Sequence, residues 1–163
     1  MVAIVLAFVA FMASVALAAD VVRIDEPTDN AQLPSNTEIS FKYTVIGAQA
    51  AGITDAYYPN SMTVDFEWVQ NGNESNVLRF NAASSLETTS APAGVSDKQY
   101  EATWKTPNCH FFTRYNPSEY TFSLLFTPVY PELTPNMTAP GPEQQAMSVP
   151  VNINVNNGTF PRC

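Results

Sequence analysis

Apolar and polar side chains alternate with a period of two along most of this chain, which is the pattern of strands buried on one face. In the run 38–45, Ile39, Phe41, Tyr43 and Val45 alternate with Ser40, Lys42 and Thr44. Val64, Phe66 and Trp68 alternate with Asp65 and Glu67 between Thr63 and Gln70, and Tyr100, Ala102 and Trp104 with Glu101, Thr103 and Lys105. The pattern returns as Tyr120, Phe122, Leu124 and Phe126, and again as Val149, Val151, Ile153 and Val155 with asparagines between them. Shorter runs at Val21 to Asp25 and Val77 to Asn81 bring the expected total to about seven strands.

No 3.6-residue stripe competes with these runs. Each strand offers one apolar face, and two sheets stacked face to face bury both sets. The expected fold is all-β: an antiparallel sandwich of the immunoglobulin or fibronectin III type. The segment Ile24 to Leu33 reads as a first strand that stops at Pro27, turns through polar residues and leads into the long second strand. Between strands, residues 47–61 are Ala-rich with Tyr57-Tyr58 near their end, and residues 83–97 are rich in Ser, Thr, Ala and Pro. The stretch Thr127 to Gln145 reads as an extended, partly polyproline loop, too long for a hairpin.

The N-terminal segment breaks the alternation. Met1 to Ala19 carries no charged side chain and ends in Ala16-Leu17-Ala18-Ala19, with Asp20 next and Arg23, Asp25 and Glu26 close behind. The small residues at 16 and 18 suit removal of a secretory leader next to Ala19, and an uncleaved anchor is the alternative. Residues 20–163 then form a single domain, long enough to bury a core. The absence of an apolar C-terminal tail argues against a glycolipid anchor and for a secreted, extracellular protein.

That compartment changes how three features read. Cys109 and Cys163, the two cysteines, are expected to pair. Such a bridge closes a 55-residue loop, worth about 4 kcal/mol in the chain-entropy model. Asn73, Asn136 and Asn157 stand in Asn-x-Ser/Thr sequons and are expected glycosylation sites, whereas Pro117 disqualifies Asn116. The formal net charge of −8 repels phosphate backbones and anionic lipid headgroups, so neither nucleic acid nor a membrane surface is an expected partner.

Chemistry-bearing residues are sparse. His110 is the only histidine and adjoins Cys109, and neighbours on an extended chain point apart, which does not suit a Cys-His catalytic pair. Asp65 and Glu67 share a strand face about 7 Å apart. That spacing fits a glycosidase carboxylate pair or a calcium site, but an ordinary solvated face is the stronger reading, because the alternation with Val64, Phe66 and Trp68 requires polar residues there. No catalytic residue, metal ligand or cofactor is therefore assigned.

The aromatic connections offer more. Tyr57, Tyr58 and Tyr115 are candidate ligand-binding residues, because a tyrosine on a loop can stack on a sugar. Half-burial is the alternative for all three, and Phe111 and Phe112 are expected in the core.

The leader, the opening Ile24-x-x-Pro27 with Leu33 and Pro34, and the run Ile39-x-Phe41-x-Tyr43-x-Val45 together resemble small secreted Ig-like proteins of fungi. That broad group includes the Kre9/Knh1-type cell-wall domain. The chain departs from it in lacking a Ser/Thr-rich tail and in placing its cysteines at 109 and 163. The resemblance implies a non-enzymatic wall or matrix protein involved in β-glucan organisation, and it transfers no binding residue. The expected function is thus a secreted, glycosylated binding or structural module associated with extracellular polysaccharide. The alternative is an inhibitor-like or effector-like module that grips another secreted or surface protein through the loop at 127–145.

Overall fold

A computed structural model describes residues 20–91 and 94–155. Among the described residues the chain is all-β, with two sheets and two short helices. In order, the elements are β1 (Val22–Glu26), β2 (Ala31–Pro34), β3 (Glu38–Val45), α1 (Ala48–Ala51), β4 (Ser61–Gln70) and β5 (Val77–Glu87), followed by β6 (Lys98–Lys105), α2 (Cys109–Arg114), β7 (Tyr120–Val129) and β8 (Met147–Asn154). One sheet has the order β1-β3-β6 and the other β2-β8-β7-β4-β5.

The period-two runs do what their chemistry requires. Phe41, Tyr43 and Val45 from β3 are buried together with Met62, Val64, Phe66 and Trp68 from β4, Phe122, Leu124 and Phe126 from β7, and Val149 and Val151 from β8. Each fully buried side chain of this size contributes about 1.5–3 kcal/mol. Rings interlock across the gap between sheets: Phe41 meets Phe126 edge-on at 5.6 Å, and Phe66 lies 5.3 Å from Trp104. Tyr43 adds a polar tie, its hydroxyl donating to the Glu87 carbonyl oxygen on the other sheet (2.8 Å).

Three expectations need correction. The described residues form eight strands, and the arrangement is not wholly antiparallel, because β2 runs parallel to β8 with Ala31 beside Val151 and Leu33 beside Ile153. The stretch read as a polar turn holds this strand. Four residues with a single buried side chain, Leu33, are too few to display alternation. Asn30 and Asn36, both at positive φ, turn the chain at either end, a conformation asparagine tolerates well.

β5 is longer than expected, continuing past Asn81 through the Ser-rich stretch to Glu87. It is an edge strand with irregular register near Val64 and Asp65 and with Ser85 at positive φ, so its polar half reads as a loop. Cys109 and His110 are not on extended chain but open α2, where the Asn108 side chain accepts from the Phe111 amide (3.3 Å) and Phe112 is buried. A six-residue helix is too short to show a stripe.

The Pro-rich connection is fastened down near its two ends. The buried Gln144 side chain accepts from the amides of Val21 (2.9 Å) and Val22 (2.8 Å) and donates to the Val22 carbonyl oxygen (2.7 Å). One amide thus substitutes for a neighbouring strand at the start of β1. Tyr130 stacks near Tyr57, its hydroxyl accepting from the Gln144 amide, and any side chain at Gly141 would collide with the Asp55 carbonyl. No helix among the described residues is long and apolar enough to cross a membrane. The leader, Asn157 and Cys163 lie outside the described residues.

Candidate functional site

The two carboxylates singled out in the sequence are engaged with their neighbours. Asp65 Oδ1 accepts from Asn81 Nδ2 (3.2 Å), and Glu67 lies 3.5 Å from Arg79 across the β4–β5 pairing. His110 is exposed on α2, and Cys109 is buried at its start. No group of His, Cys, Asp and Glu among the described residues could hold a metal ion.

Charge is gathered on the outer side of the three-stranded sheet. There Arg23 pairs with Asp25 (2.9 Å), Lys42 with Glu26 (2.9 Å), and Ser40 donates to Glu101 (2.6 Å). Partial burial pushes the Asp25 carboxyl up, but hydrogen bonds from Thr44 and Arg23 outweigh it and leave the group below the usual aspartate value. The Lys42 ammonium is held above its ordinary value by its hydrogen bond to Glu26.

The three candidate tyrosines serve the fold in two separate places. Tyr57 is 7% exposed, with its ring 4.7 Å from that of Tyr130. Tyr58 is half-buried, and its hydroxyl accepts from the Ala48 amide (2.9 Å) and donates to the Ile46 carbonyl oxygen (2.7 Å), which clasps the loop around α1. Tyr115 caps α2 within a cluster of rings, 5.0 Å from Trp68 and 4.9 Å from Phe111, and the Arg114 guanidinium lies 5.5 Å from its ring centre. Phe111 and Phe112 pack into the core cluster. Among the described residues no ring contact links Tyr57 or Tyr58 to Tyr115.

A different surface carries a formed recess. A groove of about 390 Å³ crosses the end of the five-stranded sheet, within the size range of small-ligand sites. Its polar lining is Asn30, Gln32, Asn71, Thr121 and Asn152, and its apolar lining includes Tyr120, Phe122, Pro150 and Ile153. Not one lining residue is charged. Alternation dictates which groups face out: Phe122 and Val151 are buried, so Thr121 and Asn152 are exposed beside them.

The parallel pairing completes the groove, because its register sets Gln32 next to Asn152. Asn152 Nδ2 donates to the Asn30 carbonyl oxygen (3.0 Å), and Asn71 Nδ2 donates to that of Ser118 (3.3 Å). Tyr120 is braced edge-on against Tyr115 at 5.4 Å. None of these groove residues stood out in the sequence. An Asn at every second position from 152 is a visible signal of a polar strand face, but only the β2–β8 register brings residues 120 positions apart together.

No protein-family model matches the chain, and no curated protein sequence matches it.

Proposed function

We propose that this chain is a secreted, glycosylated, non-enzymatic binding module of immunoglobulin-like sandwich architecture that associates with extracellular polysaccharide, as in a cell wall. The observation that carries this reading is the uncharged, amide-lined groove on a protein of net charge −8. Carboxamides and a hydroxyl beside an aromatic ring suit a ligand that is polar but neutral, and a neutral polysaccharide has that character. The acidic remainder of the surface disfavours nucleic acid and anionic membranes. The sandwich reading is supported by an N-terminal segment divided between the sheets, β1 in one and β2 in the other. A Cys109–Cys163 bridge and glycans at Asn73, Asn136 and Asn157 belong to the same proposal.

The test is sedimentation of the purified protein with insoluble glucan or chitin. Co-sedimentation is expected and should be insensitive to salt, since no ion pair forms in the groove. Complete recovery in the supernatant with every polymer overturns the reading.

A second reading, an inhibitor-like or effector-like module that grips another secreted or surface protein, is favoured by the exposure of Leu133 and Met137 in the long loop. Its mark is capture of a protein ligand that excess sugar does not displace.

A further inference from the structure

We infer that the groove formed by β2, β8 and β7 is the polysaccharide-binding site, and that it takes a neutral polyhydroxylated chain by pairing the chain's hydroxyls with its side-chain carboxamides. This rests on the binding reading above and adds the site and the residues that form it.

The hydrogen-bonding capacity follows from how the amides are oriented. Asn152 and Asn71 each commit one N–H to a main-chain carbonyl oxygen, at 3.0 and 3.3 Å, which holds the amide in place. Each Oδ1 is left to accept from a ligand, and the second N–H of each amide is left to donate, a combination that suits hydroxyls, which do both. Gln32 stands beside Asn152 on the exposed side of the parallel pair and supplies a third carboxamide, and Asn30 a fourth.

Ligand class follows from the same inventory. Without a charged residue in the lining, the groove has no counter-ion for a uronate, a sulfate or an amino sugar's ammonium, and desolvating such a group without a partner is costly. A sugar ring offers several hydroxyl donors and an apolar C–H face within one residue's length. Four carboxamides, Thr121 and the braced ring of Tyr120 match that density of donors beside a rigid apolar surface. An extended peptide brings one N–H per residue together with side chains that need pockets of their own, and it is the poorer match.

The experiment is calorimetric titration of the full-length secreted protein with neutral hexasaccharides of β-linked glucose and of N-acetylglucosamine, an oligogalacturonate of the same length, and a proline-rich decapeptide. The wild type is expected to bind a neutral hexasaccharide and neither of the other two probes. Gln32→Ala and Asn152→Ala each remove an exposed carboxamide; each should weaken binding at least tenfold, with an unchanged melting temperature for Gln32→Ala. Lys105→Ala, on the other sheet, should bind as wild type. Undiminished sugar binding by both groove variants overturns the groove assignment and leaves the polysaccharide reading standing. Failure of the wild type to bind any neutral sugar, soluble or insoluble, overturns both. Preference for the galacturonate or the peptide overturns the ligand class.

Discussion

Tyr43 illustrates how much a single side chain does in this fold. It is 2% exposed, stacks on Tyr100 at 5.5 Å and reaches across the core to the main chain of Glu87. Burial, reinforced by Tyr100 and Glu87, pushes its phenol up from 10.0 to about 12. The neutral form is therefore the one the fold favours. In the unfolded chain the phenol loses its proton near pH 10, so between about pH 10 and 12 only the folded state keeps it. The stabilisation is complete below pH 10 and is lost as pH rises toward 12. Tyr130 is shifted in the same direction by burial and adds to the slope. Urea midpoints measured from pH 8 to 12 should fall steeply above pH 10 in the wild type and less steeply in Tyr43→Phe. At neutral pH that variant should lose about 1 kcal/mol, the worth of one hydrogen bond.

Among the elements, legibility tracked length and burial. β3, β4, β7 and β8 each place three or more inward apolar residues at alternate positions, and their inner residues are the buried ones. β2 escaped because four residues with Leu33 alone buried carry no period, and α2 because its start resembles loop sequence. The Asn108 cap was a readable local signal for that helix. The long connection was legible as irregular chain but not as anchored chain, since nothing in Gln144 itself discloses that it will serve as a strand partner. Replacing Gln144 with Leu keeps the volume and strands the amides of Val21 and Val22, which should cost about 1–3 kcal/mol per buried group left unpaired. Hydrogen exchange should quicken first at those two amides while the β4–β7 pairing stays protected. Uniform exchange across both regions would show instead that the connection and the core open together.

At the scale of the whole molecule, charge and neutrality occupy different places. Ion pairs lie on the outer side of the three-stranded sheet and across β4–β5 at one side of the five-stranded sheet, whereas its β2–β8–β7 side carries an uncharged groove. The overall β architecture was legible because burial of one face per strand leaves few alternatives. The groove was not, because its lining comes from residues 30, 32, 71, 117, 120–122 and 150–153, and their meeting depends on strand order. Tyr57, Tyr58 and Tyr115 drew notice as rings near turns, but a sequence does not say whether a ring faces solvent or a neighbour. Here each has a neighbour.

The parallel seam between β2 and β8 also has a mechanical meaning. It runs from the Asn30 amide on the Pro150 carbonyl (2.7 Å) to the Ser35 amide on the Asn154 carbonyl (2.9 Å), joining an early segment of the chain to a late one. Tension applied at Asn30 and Val155 draws the two strands along their own axes in opposite directions. The hydrogen bonds of the seam are then loaded together in shear instead of being opened one by one. In force spectroscopy pulled from those two points, rupture should come at markedly higher force than when the β4–β5 hairpin is pulled open at Ser61 and Glu87, where the ladder unzips. A seam loaded in this way can bear tension while the groove beside it keeps its shape.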